Sequence, residues 1–208
     1  MGRHDSTLNP PQGRTALARG LYASTPVQTA FGWRFAGDIA VGDLVMTRDA
    51  GLVPVKQVAT EFRPALWSVL LPEQALGNPQ AVMLPPGQPI LVRSPYAMPF
   101  SGDDLALLPA TALEGWRGIT PHVPARAEPI LQLRLDRPAL VNAGPGLHLG
   151  CDGAETAGFD LKRLMEAPTR PSLPLAAARH LVAQLVAEEA SASLTALQAA
   201  DLRPPNLP

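Results

Sequence analysis

Residues 25–45 constrain the fold more than any other stretch: Thr-Pro-Val-Gln-Thr-Ala-Phe-Gly-Trp-Arg-Phe-Ala-Gly-Asp-Ile-Ala-Val-Gly-Asp-Leu-Val. They read as a short strand, a tight turn at Gly32-Trp33, a second strand, and a Val41-Gly42-Asp43 turn that sends the chain back into a sheet. A chain that reverses this often builds a sheet of short strands rather than a helix bundle. The same punctuation continues to about residue 155, and the sequence holds 24 prolines and 17 glycines among its 208 residues.

Within that region, Ile130-Leu131-Gln132-Leu133-Arg134-Leu135-Asp136 alternates apolar and polar residues and predicts a strand with leucines 131, 133 and 135 on one face. Asp49-Ala50-Gly51 predicts a hairpin between Leu44-Val45-Met46 and Val53-Pro54-Val55. Further strands are expected over 65–71, 80–84, 89–93 and 138–142. Gly115-Trp116-Arg117-Gly118 reads as a turn whose ring caps a sheet end. From about 156 the period changes. Phe159–Met165 has the pattern of two helical turns, and a longer helix is expected to begin near Pro174. Its stripe of Leu175, Ala178, Leu181, Val182, Leu185 and Val186 has helical spacing, while Arg179, Gln184, Glu188 and Glu189 face away. Ser191 and Ser193 are placed to cap a last short helix, and Glu188-Glu189 reads as a solvated face.

The composition excludes several classes of function. A formal charge of −1 with scattered Lys and Arg gives no footprint for nucleic acid and no polybasic patch for a membrane surface. No apolar run has the length of a transmembrane helix, and residues 1–11 lack the apolar segment of a signal peptide, so a cytoplasmic location is expected. Met1-Gly2 with Ser6 fits a loose myristoylation pattern, a match common by chance. The single cysteine, Cys151, excludes an internal disulfide framework. The four histidines, His4, His122, His148 and His180, lack metal-ligand spacing, and there is no nucleophile elbow or phosphate-cradling glycine loop; no metal or cofactor is expected.

Thr25-x-Val27-x-Thr29, Gly32-Trp33 and Val41-Gly42-Asp43-Leu44-Val45 stand in the order and spacing of the opening block of Hint domains, the Hedgehog/intein autoprocessing fold, which this chain resembles. Leu84-Pro85-Pro86-Gly87-Gln88-Pro89-Ile90-Leu91-Val92 has the frame of the family's second block, Leu-Thr-x-x-His-Pro-hydrophobic-x-Val. Leu108 to Leu113 resembles a later element, and Leu140 to His148 the closing strand pair. The resemblance covers residues 20–152 and is nearest in character to stand-alone bacterial Hint-like domains. It implies a mainly β, Hint-like domain over 20–155, with a flexible arm at 1–19 and a C-terminal α-helical extension at 156–208.

Hint domains shift the acyl group of the preceding peptide onto a side-chain nucleophile, and a second nucleophile then resolves the ester or thioester. The family spacing puts that nucleophile at Gly20, and the Thr and His of the second block at Pro85 and Gln88. Glycine and proline bring no functional group, and a glutamine amide cannot transfer a proton at neutral pH. The resemblance therefore implies a catalytically inactive scaffold whose splice-site cleft binds a peptide or protein through Thr25, Thr29, Asp43, Gln88 and His148. An active self-cleaving domain or a hydrolase using Ser24 or Cys151, the latter with His148 as a remnant dyad, is the competing reading. Self-association through the 175–186 helix is a third.

Overall fold

A computed structural model describes residues 17–61, 67–124, 128–154 and 170–201, with side chains of the last segment described to residue 195. The predicted helix at 159–165 and the start of the 65–71 strand lie outside the described residues. Strands β1 (Leu21–Tyr22), β2 (Pro26–Thr29), β3 (Gly32–Phe35), β4 (Leu44–Thr47) and β5 (Gly51–Glu61) form the first half of the sheet. The reversal between β2 and β3 is made by Ala30 and Phe31, while Gly32 and Trp33, read from sequence as the turn, already pair in the ladder. Thr29 is the reason. Its hydroxyl donates to the Gly32 carbonyl at 2.8 Å and accepts from Phe31 N–H at 3.2 Å, closing a turn with neither Gly nor Pro in its loop.

The chain repeats this device one hairpin later. Thr47 donates to the Gly51 carbonyl and accepts from Ala50 N–H, and Gly51 takes a φ of +68° that favours glycine. The expected Asp49-Ala50-Gly51 hairpin is thus present, joining β4 to β5 in antiparallel register from Thr47↔Gly51 to Leu44↔Pro54. Between β3 and β4, the Asp43 carboxylate accepts from Ala40 N–H at 2.9 Å and from the Arg34 guanidinium at 3.0 Å, fixing the Val41-Gly42-Asp43 turn.

The second half contains β6 (Ser68–Leu71), β7 (Val82–Leu84), β8 (Pro89–Arg93), β9 (Leu105–Pro109), β10 (Thr120–His122), β11 (Ile130–Leu135), β12 (Ala139–Asn142) and β13 (His148–Cys151). A short helix α1 (Met98–Ser101) links β8 to β9. The large sheet runs β1-β11-β5-β4-β12-β13-β8-β9, with β2 and β3 branching from β4; β10-β6-β7 form a smaller sheet. Leu131, Leu133 and Leu135 of β11 are buried as their alternation requires, and Ile130 is buried as well. The core gathers Val27, Val45, Val69, Leu84, Ile90, Leu108 and Leu149, all fully buried.

Helix α2 (Leu175–Asp201) begins after Pro174, whose carbonyl accepts from Ala178 N–H. Ala178, Leu181, Val182 and Leu185 are buried, and α2 lies on β9 and the 3-10 turn Ala110–Leu113 that follows it. The apolar stripe is thus covered by the chain itself, leaving Val186 exposed. Just before α2, Arg170 grips the Asp103 carboxylate and holds it down to about 2, and Leu173 N–H bonds the Leu107 carbonyl.

Two readings of this region are corrected. No separate final helix starts at Ser191 or Ser193, because their hydroxyls donate back to the carbonyls of Ala187 and Glu189 inside one continuous helix. Glu189 is not simply solvated. Its carboxylate accepts from the Trp116 indole N–H at 2.9 Å and from Arg117 at 2.7 and 2.9 Å, and the Arg117 guanidinium stacks 4.5 Å from the Trp116 ring centre. Trp116 therefore anchors the helix rather than merely capping a sheet end. Glu189→Ala should lower stability by about 1.5 kcal/mol, mostly through the unpaired indole N–H, since the exposed ion pair contributes little. Chemical denaturation measures it; a change below about 0.3 kcal/mol would show that the anchor is incidental.

Candidate functional site

Three glycines line the place where the chain enters the fold, and at two of them backbone meets backbone. Leu17 and Ala18 cross the turn at Pro85–Gln88, and Gly87 donates its N–H to the Ala18 carbonyl at 2.8 Å. A Cβ on Gly87 would lie 2.7 Å from Leu17 Cβ and carbonyl oxygen. Gly20 follows with a φ of +121°, and a Cβ there would meet Ile130 Cγ2 at 2.6 Å and the Leu131 carbonyl at 2.7 Å. The third, Gly150, presents its carbonyl from β13. No side chain fits at Gly20 without moving the β11 backbone.

The Arg19–Gly20 peptide is held at both ends. Its N–H donates to Gln88 Oε1 at 2.9 Å, and its carbonyl accepts from Gln132 Nε2 at 2.5 Å. Gln88 is only 1% exposed, and its Nε2 donates to the carbonyls of Gly150 at 2.9 Å and Pro89 at 3.3 Å. An acceptor facing an N–H and a donor facing two carbonyls fix the orientation of the amide. One buried side chain thereby ties β1's entry, the β8 turn and β13 together.

The space left between these groups is about 10 Å³, lined by Arg19, Gly20, Gln88, Gln132, Gly150, Cys151 and their neighbours, and holds at most one water. Cys151 supplies the only thiol or hydroxyl among the lining residues. Burial pushes that thiol up to about 12. At neutral pH the thiol therefore stays protonated. A thiol reagent should therefore label Cys151 at least ~100-fold more slowly in the native protein than in denaturant; comparable rates would mean that the pocket opens.

The other residues singled out from sequence are placed elsewhere. Ser24 is exposed in the turn after β1. Thr25 is buried, and its hydroxyl has no hydrogen-bond partner among the described residues. Thr29 and Asp43 hold their turns, as above. His148 is half-buried opposite Asn142, burial pushes its pKa down, and its Nδ1 has no partner among the described residues. Leu149 and Cys151 share the buried face of β13 while His148 belongs to the other, so the strand separates the two members of the dyad. Of the five residues expected to line the cleft, Gln88 alone borders the pocket.

Gln132 and Gly150 were not legible from sequence: the first read as the polar side of an alternating strand, and the second acts through its carbonyl. Among the described residues there is no group of three His, Cys, Asp or Glu placed to hold a metal, and no helix is long and apolar enough to cross a membrane.

The arrangement can grip one peptide bond by its N–H and its carbonyl. It offers no side chain at Gly20 to receive an acyl group. Comparison with solved structures finds inteins and their relatives. The chain is similar to a bacterial intein-like domain from Clostridium thermocellum, with 14% identity over 65% of this chain and 99% of that one and a TM-score of 0.46. It is also similar to the AceL NrdHF class 3 split intein, at 13% identity over 65% and 99% with a TM-score of 0.45. For the MchDnaB-1 intein the figures are 15% identity, 64% and 100%, and a TM-score of 0.38. Among curated proteins none matches. Comparison with protein families matches residues 20–146, more than half of the chain, to the Hint domain, and the match begins at Gly20. This chain belongs to the Hint domain family.

Proposed function

We propose that this Hint domain has lost autoprocessing and serves as a protein-binding or accessory scaffold. The observation that carries the reading is the packing of Gly20 against Ile130 and Leu131, which leaves no volume for a nucleophilic side chain where the family needs one. An N-to-S or N-to-O acyl shift forms a bond from that side chain to the carbonyl of residue 19 and breaks the 19–20 amide. Glycine provides no atom for the first event. For the second, Gln88 accepts a hydrogen bond from the amide nitrogen but has no proton to give it. The buried free thiol of Cys151 also suits a reducing, cytoplasmic setting.

The test is the intact mass of the purified protein, before and after prolonged incubation with dithiothreitol. The scaffold reading expects one uncut species throughout. Discrete fragments that disappear in Ser24→Ala or Cys151→Ala would establish self-cleavage and sink the reading.

A further inference from the structure

Where α2 crosses the 3-10 turn Ala110–Leu113, a cavity of about 480 Å³ stays open between helix and turn. Thr111, Ala112 and Glu114 wall it from the region matched to the Hint domain, and Arg179, Val182, Ala183 and Val186 wall it from the C-terminal helix. It is far larger than the 10 Å³ space beside Gly20. Clefts of about 300–1,000 Å³ with an apolar lining and a few placed polar groups are the usual form of a small-ligand site.

Two opposite charges border the cavity without neutralising each other. Glu114 accepts from the Thr111 hydroxyl through Oε1 at 3.0 Å, which leaves Oε2 without a bond among the described residues. Arg179 makes no hydrogen bond or ion pair among the described residues. Its own helix offers no acid within reach, because the positions three and four away are Leu175, Ala176, Val182 and Ala183. Further along α2, Glu189 is already held by Trp116 and Arg117. The rest of the lining is apolar: Ala112 and Val182 are buried, and Val186 is left 41% exposed.

We propose that this cavity binds a short apolar peptide with both ends free, its ammonium on Glu114, its carboxylate on Arg179 and its side chains on Val182 and Val186. A lone anion would meet the Glu114 charge and a lone cation the Arg179 charge, whereas a zwitterion satisfies both. The open guanidinium fork matches a carboxylate in two parallel hydrogen bonds. An extended chain rises about 3.3–3.6 Å per residue, so two or three residues set the ends roughly 7–10 Å apart, about the width of a cavity of this volume. The cavity shares no residue with the Gly20–Gln88 pocket, so self-cleavage of the chain would leave this inference standing.

Titration of the full chain with the dipeptide Leu-Leu, followed by amide chemical shifts, tests it. Saturable shifts are expected at Gly115, Ala183 and Val186, with a Kd on the order of 0.1–1 mM for a ligand of this size. Arg179→Ala should weaken binding at least ~10-fold, and so should N-acetylation or C-terminal amidation of the peptide, each of which removes one end charge. Ala183→Trp should fill the cavity and abolish binding. Arg179 and Ala183 are exposed, so both variants should retain the wild-type melting curve and separate binding from folding. Free leucine, too short to span the walls, should bind at least ~10-fold more weakly. No saturable shift up to about 10 mM Leu-Leu overturns the inference, as do shifts confined to another surface. So does binding indifferent to Arg179→Ala or to capping of the peptide, or matched by free leucine.

Discussion

Gly20→Cys, which puts a thiol at the position the family resemblance assigns to the nucleophile, is expected to destabilise the fold by about 4 kcal/mol, a large part of a domain's usual net stability of about 5–15 kcal/mol. Two costs combine. A φ of +121° is unfavourable for any residue with a Cβ, and that Cβ would lie 2.6 Å from Ile130 Cγ2 and 2.7 Å from the Leu131 carbonyl. The carbonyl cannot yield without disturbing β11, which pairs with β5 along its whole length. Gly20→Ala should lose nearly as much, because the conflict begins at Cβ. Guanidinium titration of both variants measures the loss. A Gly20→Cys protein with the wild-type midpoint would show that the site has room for a nucleophile after all.

The second large effect is expected at Gln88. Gln88→Leu keeps the approximate volume but strips the Gly20 N–H and the Gly150 carbonyl of their partners inside a buried pocket, at about 1–3 kcal/mol for each. A total loss of about 3 kcal/mol is predicted. Gln88→Glu should add a pH dependence. A carboxylate there would face the Gly150 and Pro89 carbonyls without solvent, so its folded pKa would lie above the unfolded value. The folded state would then bind the proton more tightly than the unfolded state. Stability of that variant is expected to be full below the unfolded glutamate pKa and to fall as pH rises through the folded one. A Gln88→Glu protein equally stable at acid and neutral pH would refute the buried contacts.

How far the sequence was readable follows from how local each cause is. The Asp49-Ala50-Gly51 hairpin, the strand at 89–93 and the helix start at Pro174 are set within a few residues, and all three stand where expected. The first turn is not legible at its true position because Ala30 and Phe31 carry no turn signal; the clasp belongs to Thr29, whose hydroxyl also suits an ordinary strand residue. Glu189 reads locally as a solvated carboxylate because its partners, Trp116 and Arg117, lie more than 70 residues away. The site divides in the same way. The family resemblance points to Gly20 and Gln88, and a hydrogen bond spanning 68 positions joins these two residues. Nothing local marks Gln132 as the donor to Arg19 across 113 positions, nor the Gly150 carbonyl as the far anchor.

The central claim is that the chain's own backbone and Gln88 close around the Arg19–Gly20 peptide. Amide hydrogen exchange at Gly20 tests it most directly, because that N–H is the group Gln88 holds. The closed site predicts protection close to that of the β11–β5 core, with most of it lost in Gln88→Leu. Exchange at the rate of an unstructured peptide in the wild-type protein would contradict the account.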